Sequence, residues 1–158
     1  MREALTTDGI VVIGFVNLIG GWVSTPIGDT ESSQINWLNK RLVDTVANSI
    51  NAFADDLRRN SGIYVMVSSP AAVTPIKGSA AYSAAKASAE SWLKSLAIFF
   101  EGSNARANTL IVHSLVSDKD RAKYPDRKFP HAIDTKILAD QISGLWNQRL
   151  ENGSRTCL

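Results

Sequence analysis

The chain has 158 residues, enough for one domain with a real core, and 44% of them are hydrophobic, an ordinary proportion for a globular protein. Its formal net charge is +2, with no basic stripe interleaved with aromatics, which argues against nucleic acid as a partner. One cysteine, Cys157, excludes an intramolecular disulfide, and with two histidines it leaves no ligand cluster for zinc, so no metal is expected.

The first apolar run, 10–19, is continuous and β-branched, as in a strand buried on both faces of a parallel sheet. It is too short to span a bilayer, and no basic n-region with a cleavage site precedes it, so a cytoplasmic protein without a membrane partner is expected. Gly20-Gly21 ends it, and 22–33 reads as a loop. Over 35–59, Ile35, Leu38, Leu42, Val46, Ile50, Phe53 and Leu57 recur at spacings of three and four, one stripe of a long helix stopped by Asn60-Ser61-Gly62. Ile63–Ser68 is a short strand, followed by a loop with two prolines. A second long helix spans 79–100, Ala- and Ser-rich at first and apolar at its end.

A third strand covers 107–112. The segment 118–133 is polar, with Pro125 and Pro130; a basic cluster of Arg121, Lys123, Arg127 and Lys128 within it is diluted by Asp118, Asp120 and Asp126, which suits a solvated loop. His113 and His131 read as loop residues. A third helix over 134–147 opens on an Asp134 N-cap, and 155–158 forms a short edge strand. Strands alternating with helices define an α/β fold with a three-layer parallel sheet of about four strands.

The chemistry centres on Tyr82 and Lys86. Four apart on a helix, they share one face. An ammonium beside a phenol favours the phenolate, and a tyrosine so placed exchanges a proton with a substrate oxygen near neutral pH. Ser69, thirteen residues upstream of Tyr82, supplies a hydroxyl to hold that oxygen. The trio suits interconversion of an alcohol and a carbonyl.

The stretch Val65-Met66-Val67-Ser68-Ser69-Pro70-Ala71-Ala72, with Gly78-Ser79-Ala80-Ala81-Tyr82-Ser83-Ala84-Ala85-Lys86-Ala87, resembles the catalytic strand, serine loop and helix of the short-chain dehydrogenase/reductase family. Val16-Asn17-Leu18-Ile19-Gly20-Gly21-Trp22 is similar to a degenerate form of that family's Asn-Asn-Ala-Gly strand end, and Asn152-Gly153-Ser154-Arg155 to the approach to its last strand. The resemblance runs from about residue 10 to the C-terminus.

It implies that Tyr82 is the general acid/base, that Lys86 holds the nicotinamide ribose, and that Ser69 orients the carbonyl. It also implies cofactor contacts at Asn17, Gly20, Lys86, Val116 and Ser117. The cofactor would be NAD or NADP, the substrate a small carbonyl compound, and the partner a second copy (a homodimer or higher oligomer) through the helices 35–59 and 79–100.

The sequence departs from the pattern in three places. None of its ten glycines falls into the turn whose amides receive a dinucleotide pyrophosphate. The first two βα units of the family are therefore expected to be absent, which makes 1–158 a single truncated Rossmann-like domain with weak or no dinucleotide binding. The position of the family's catalytic Asn falls near Leu42, with Asn39 about a turn away, and His113-Ser114 replaces its Pro-Gly. These departures leave two alternatives: a non-catalytic truncated module that dimerises or binds a partner, and a small-ligand binder with a residual pocket near Trp22, Ser69 and Tyr82.

Overall fold

The computed structural model describes residues 9–148 and 150–158. In chain order the elements are β1 (Gly14–Asn17), α1 (Ser32–Asn39), α2 (Thr45–Arg59), β2 (Ile63–Ser68), α3 (Ala80–Phe99), β3 (Arg106–Ile111), β4 (Ser114–Val116), α4 (Asp118–Lys123), β5 (Ala132–Asp134), α5 (Thr135–Gly144) and β6 (Arg155–Cys157). A π-helical turn, Lys40–Asp44, joins α1 to α2.

The four principal strands form one parallel sheet in the order β1, β2, β3, β6. Its register sets Gly14 opposite Ile63, Ile63 opposite Arg106, and Thr109 opposite Arg155. Alternate residues of a strand point to opposite faces, and the core divides accordingly. Tyr64, Met66 and Ala107 pack with Val46, Ile50, Phe53 and Leu57 of the first helical rod and with Leu93 and Leu96 of α3. Ile63, Val65 and Leu110 pack on the other face with Leu138 and Ile142 of α5. The molecule is an α/β three-layer structure with a four-stranded parallel sheet.

The apolar stripe of the first long helix is buried from Leu38 to Leu57; Ile35 is exposed at its start. The helix opens on a capping box between Glu31 and Gln34 and ends at Arg59, with Ser61, a non-glycine at φ 53°, just beyond its Asn60 cap. Beside Ser61, a side chain on Gly62 would stand 2.9 Å from the Ile13 carbonyl oxygen, so the turn into β2 requires glycine there.

The first strand is shorter than the run 10–19. Pairing begins only where β2 begins, so Gly14 is its first residue, and Ile10, Val11 and Ile13 remain exposed. Gly14 lies under Trp146: a Cβ there would come within 2.3 Å of the indole.

The polar segment 118–133 is more ordered than its composition suggests. Ser117 and Asp120 form a capping box that starts α4, and β4 and β5 pair in parallel on either side of it. The third helix starts as expected, with the Asp134 carboxylate accepting the Lys136 amide proton at 2.9 Å, but ends at Gly144. Among the described residues no helix is long and apolar enough to cross a membrane.

Candidate active site

β2 and α3 together place the catalytic candidates. β2 ends at Ser68, and Ser69 caps the short 3-10 turn Pro70–Ala72, its hydroxyl oxygen accepting the Ala71 amide proton at 3.3 Å. That leaves the hydroxyl's own proton free to be donated elsewhere.

The start of α3 is held from far away in sequence. Thr25, fully buried, accepts the Ala80 amide proton at its carbonyl (3.0 Å) and the Ala81 amide proton at Oγ1 (3.1 Å). It also donates its own amide to the Gly78 carbonyl at 2.8 Å. The loop after β1 is thereby tied to the first turn of α3, two residues before Tyr82. Gly78, at φ 77°, makes the turn that presents its carbonyl.

Ser69, Tyr82 and Lys86 line one cavity of about 610 Å³, together with Gly20 and Trp22 of the loop after β1 and His113 after β3. Tyr82 is half-buried and packs beside Leu38, Leu42 and Ala85. Among the described residues no hydrogen bond joins Ser69, Tyr82 and Lys86 directly; what they share is the cavity. Lys86 is only 7% exposed. Its Nζ donates to the Val67 carbonyl at 3.1 Å, which uses one of three N–H donors and leaves two. Burial pulls its pKa down from 10.5 to about 8, against the opposing pull of the Glu90 carboxylate.

Behind the trio is a network that sequence reasoning missed. Glu90, 4% exposed and one turn beyond Lys86, accepts the Ser68 hydroxyl proton at 2.7 Å and the Arg155 Nε proton at 3.0 Å. It joins the end of β2, the middle of α3 and the edge strand β6. A glutamate four residues after Lys86 in an Ala-rich helix was its one sequence signal; Arg155, 65 residues further on, carried none.

The other candidates lie off the cavity, except Gly20. The Gly20 carbonyl accepts the Arg41 Nε proton at 3.2 Å. Asn17 turns the chain after β1, its side-chain oxygen accepting the Ile19 amide at 3.1 Å. Val116 is fully buried in β4, and Ser117 is engaged by Asp120. Leu42 is buried in the π turn. His113 and His131 touch, with ring centroids 5.9 Å apart, and among the described residues no three metal-ligating side chains cluster.

A serine, a tyrosine and a buried lysine thus share one cavity of a three-layer parallel α/β fold. A family model described as enoyl-(acyl carrier protein) reductase matches residues 3–139, and the chain belongs to the short-chain dehydrogenase/reductase family. No curated protein sequence matches the chain.

Solved structures agree in fold. One is a short-chain oxidoreductase from Pseudomonas aeruginosa PAO1 described as containing an atypical catalytic center (18% identity, TM-score 0.84, 99% of this chain and 69% of that one). ElxO with NADP bound matches at 15% identity and TM-score 0.84, over 99% of this chain and 68% of that one. A 4-hydroxyisoleucine dehydrogenase complexed with NADH matches at 16% identity and TM-score 0.77, over 99% and 71%. The chain thus spans about two thirds of the length of the structures it resembles.

Proposed function

We propose that this chain carries the carbonyl-binding and proton-transfer half of an NAD(P)-dependent oxidoreductase acting on a small carbonyl compound or its alcohol. The observation that carries the reading is the shared cavity of Ser69, Tyr82 and a buried Lys86 whose ammonium keeps two donors unused.

The nicotinamide cofactor, when bound, would supply or take the hydride. The residues present suit its nicotinamide riboside end: the two remaining Lys86 donors match ribose hydroxyls, and the walls beside them are largely apolar. In the reducing direction the Ser69 hydroxyl donates to the carbonyl oxygen and holds it. Tyr82 then delivers its proton to that oxygen as negative charge develops there. The Lys86 ammonium stabilises the phenolate left behind. With Lys86 at about 8, that positive charge is present below pH 8 and is lost above it, so reduction slows as pH rises through that value.

The test is titration of the purified chain with NADH and NADPH by calorimetry, followed by carbonyl turnover in wild type and Tyr82→Phe. A loss of about 10²- to 10⁴-fold in turnover with cofactor binding intact supports Tyr82 as the acid; equal turnover by both proteins refutes it.

We also propose that two copies associate through the helices over 35–59 and 79–100, where Trp37, Trp92, Ile98 and Phe99 are exposed. Sedimentation that reports only monomer at high micromolar concentration would refute this.

A further inference from the structure

The cavity has a second cation besides Lys86. Arg127, on the segment between α4 and β5, lines it, and no aspartate or glutamate does. The guanidinium carbon lies 5.4 Å from the Phe129 ring centroid and 5.9 Å from that of Tyr124. The Arg127 amide donates to the Tyr124 carbonyl at 3.1 Å. Arg127 is exposed, and its guanidinium sits beside two aromatic rings whose faces attract its charge.

The carboxylates around it have other partners. Asp120 accepts the Ser117 hydroxyl proton at 2.5 Å, Asp118 pairs with Lys136 at 2.6 Å, and Asp134 pairs with Arg121 at 3.9 Å. Among the described residues no carboxylate stands within ion-pair distance of Arg127, its chain neighbour Asp126 included. A guanidinium offers five donors in a planar fork that matches a carboxylate bidentately. Here that fork has no carboxylate within ion-pair distance, the Asp120 carboxylate acting on it only by longer-range Coulomb attraction, and it lies beside a cavity.

The rest of the wall says what joins the two ends. Leu18, Ile19, Trp22, Ile76 and Leu115 line the same cavity, and each is 42% exposed or more. A ligand that covered them would bury apolar surface between the Ser69 and Tyr82 hydroxyls and the Arg127 fork. Its chemistry is then a carbonyl or hydroxyl group, an apolar stretch and an anion.

We propose that Arg127 is a specificity-determining residue that receives the carboxylate of an oxo acid, or of the matching hydroxy acid, whose reacting carbon sits against Ser69 and Tyr82. The proposal deepens the oxidoreductase reading above and rests on it for the placement of the reacting carbon. A cofactor phosphate is the other anion such a fork accepts; the apolar residues sharing the wall favour the substrate.

The probes are levulinate, a five-carbon oxo acid, and its neutral methyl ester. Binding of each is measured by ligand-detected NMR without cofactor, on wild type, Arg127→Gln and Arg127→Lys. Wild type should hold levulinate about tenfold more tightly than the ester, a single charge-assisted contact's worth of preference. Arg127→Gln should erase that preference while leaving ester binding and the thermal midpoint unchanged, and Arg127→Lys should keep part of it.

Equal binding of acid and ester by wild type overturns the proposal. So does a variant that weakens both alike, or one that weakens NADPH and spares levulinate. Because the readout needs no turnover, a protein that binds levulinate through Arg127 yet transfers no hydride would sustain the anion site and refute the oxidoreductase reading instead.

Discussion

Two walls of the cavity are built in opposite ways. The wall of β2 and α3 carries its polar groups buried: Ser68, Lys86 and Glu90 are nearly inaccessible, and their bonds run between elements far apart in sequence. The wall of β4, α4 and β5 carries its charges exposed and secures them locally, through the Ser117 and Asp120 capping box and the surface pair of Asp118 with Lys136. Groups that must keep one geometry for proton transfer belong on the first kind of wall, because buried bonds leave no alternative partner in water. Groups that select a ligand can belong on the second, where changing one side chain disturbs little else.

Removing Glu90 should break the buried wall most severely. Glu90→Ala leaves Arg155 and the Ser68 hydroxyl without their acceptor. Stranding one member of a buried ion pair costs several kcal/mol; because the Arg155 side chain is 31% exposed, the expected loss is nearer 2 kcal/mol. Denaturant unfolding measures it. If the midpoint does not move, the network is ornamental. Glu90→Gln keeps the shape and removes the charge that raises the Lys86 pKa, so the high-pH limb of activity should move below 8.

A smaller effect, of opposite sign, is expected at Lys86. The folded-state value of about 8 lies below the ordinary 10.5, so between those values the unfolded chain binds the proton more strongly. Stability therefore rises as pH climbs from 8 to 10.5, and below 8 the buried charge carries its full cost. Lys86→Met should be more stable than wild type at pH 7 by roughly 1–2 kcal/mol, part of the gain being lost with the Val67 hydrogen bond. The advantage should shrink to nothing by pH 10.5. Thermal melts across that range check the sign; a variant less stable than wild type at pH 7 contradicts the buried-charge account.

The exposed wall should respond least. Asp118→Asn removes a surface ion pair with Lys136 and should leave the thermal midpoint where it is. A clear drop in calorimetry would show that α4 is held by more than its own capping box and would weaken the contrast between the walls.

The sequence alone determined the elements whose signals are local. The apolar stripe from Leu38 to Leu57, the β-branched run of β2, the Asp134 cap and the Asn60 and Ser61 stop each act within a few residues, and each forms nearly where the spacing puts it. The i,i+4 pair of Tyr82 and Lys86 and the thirteen-residue offset to Ser69 were equally legible, since a strand, a turn and one helix carry all three.

Tertiary structure decided the rest. Where β1 begins depends on where β2 offers a partner, not on the apolar run itself. That Thr25 anchors the start of α3 depends on a contact spanning 56 residues, and that Arg155 meets Glu90 on one spanning 65. Arg127, one of five cations in the polar stretch 118–133, lines the cavity only because β4 and β5 pair around α4. Such contacts leave no periodic trace in a single sequence, because they form only when chain closure brings distant segments together.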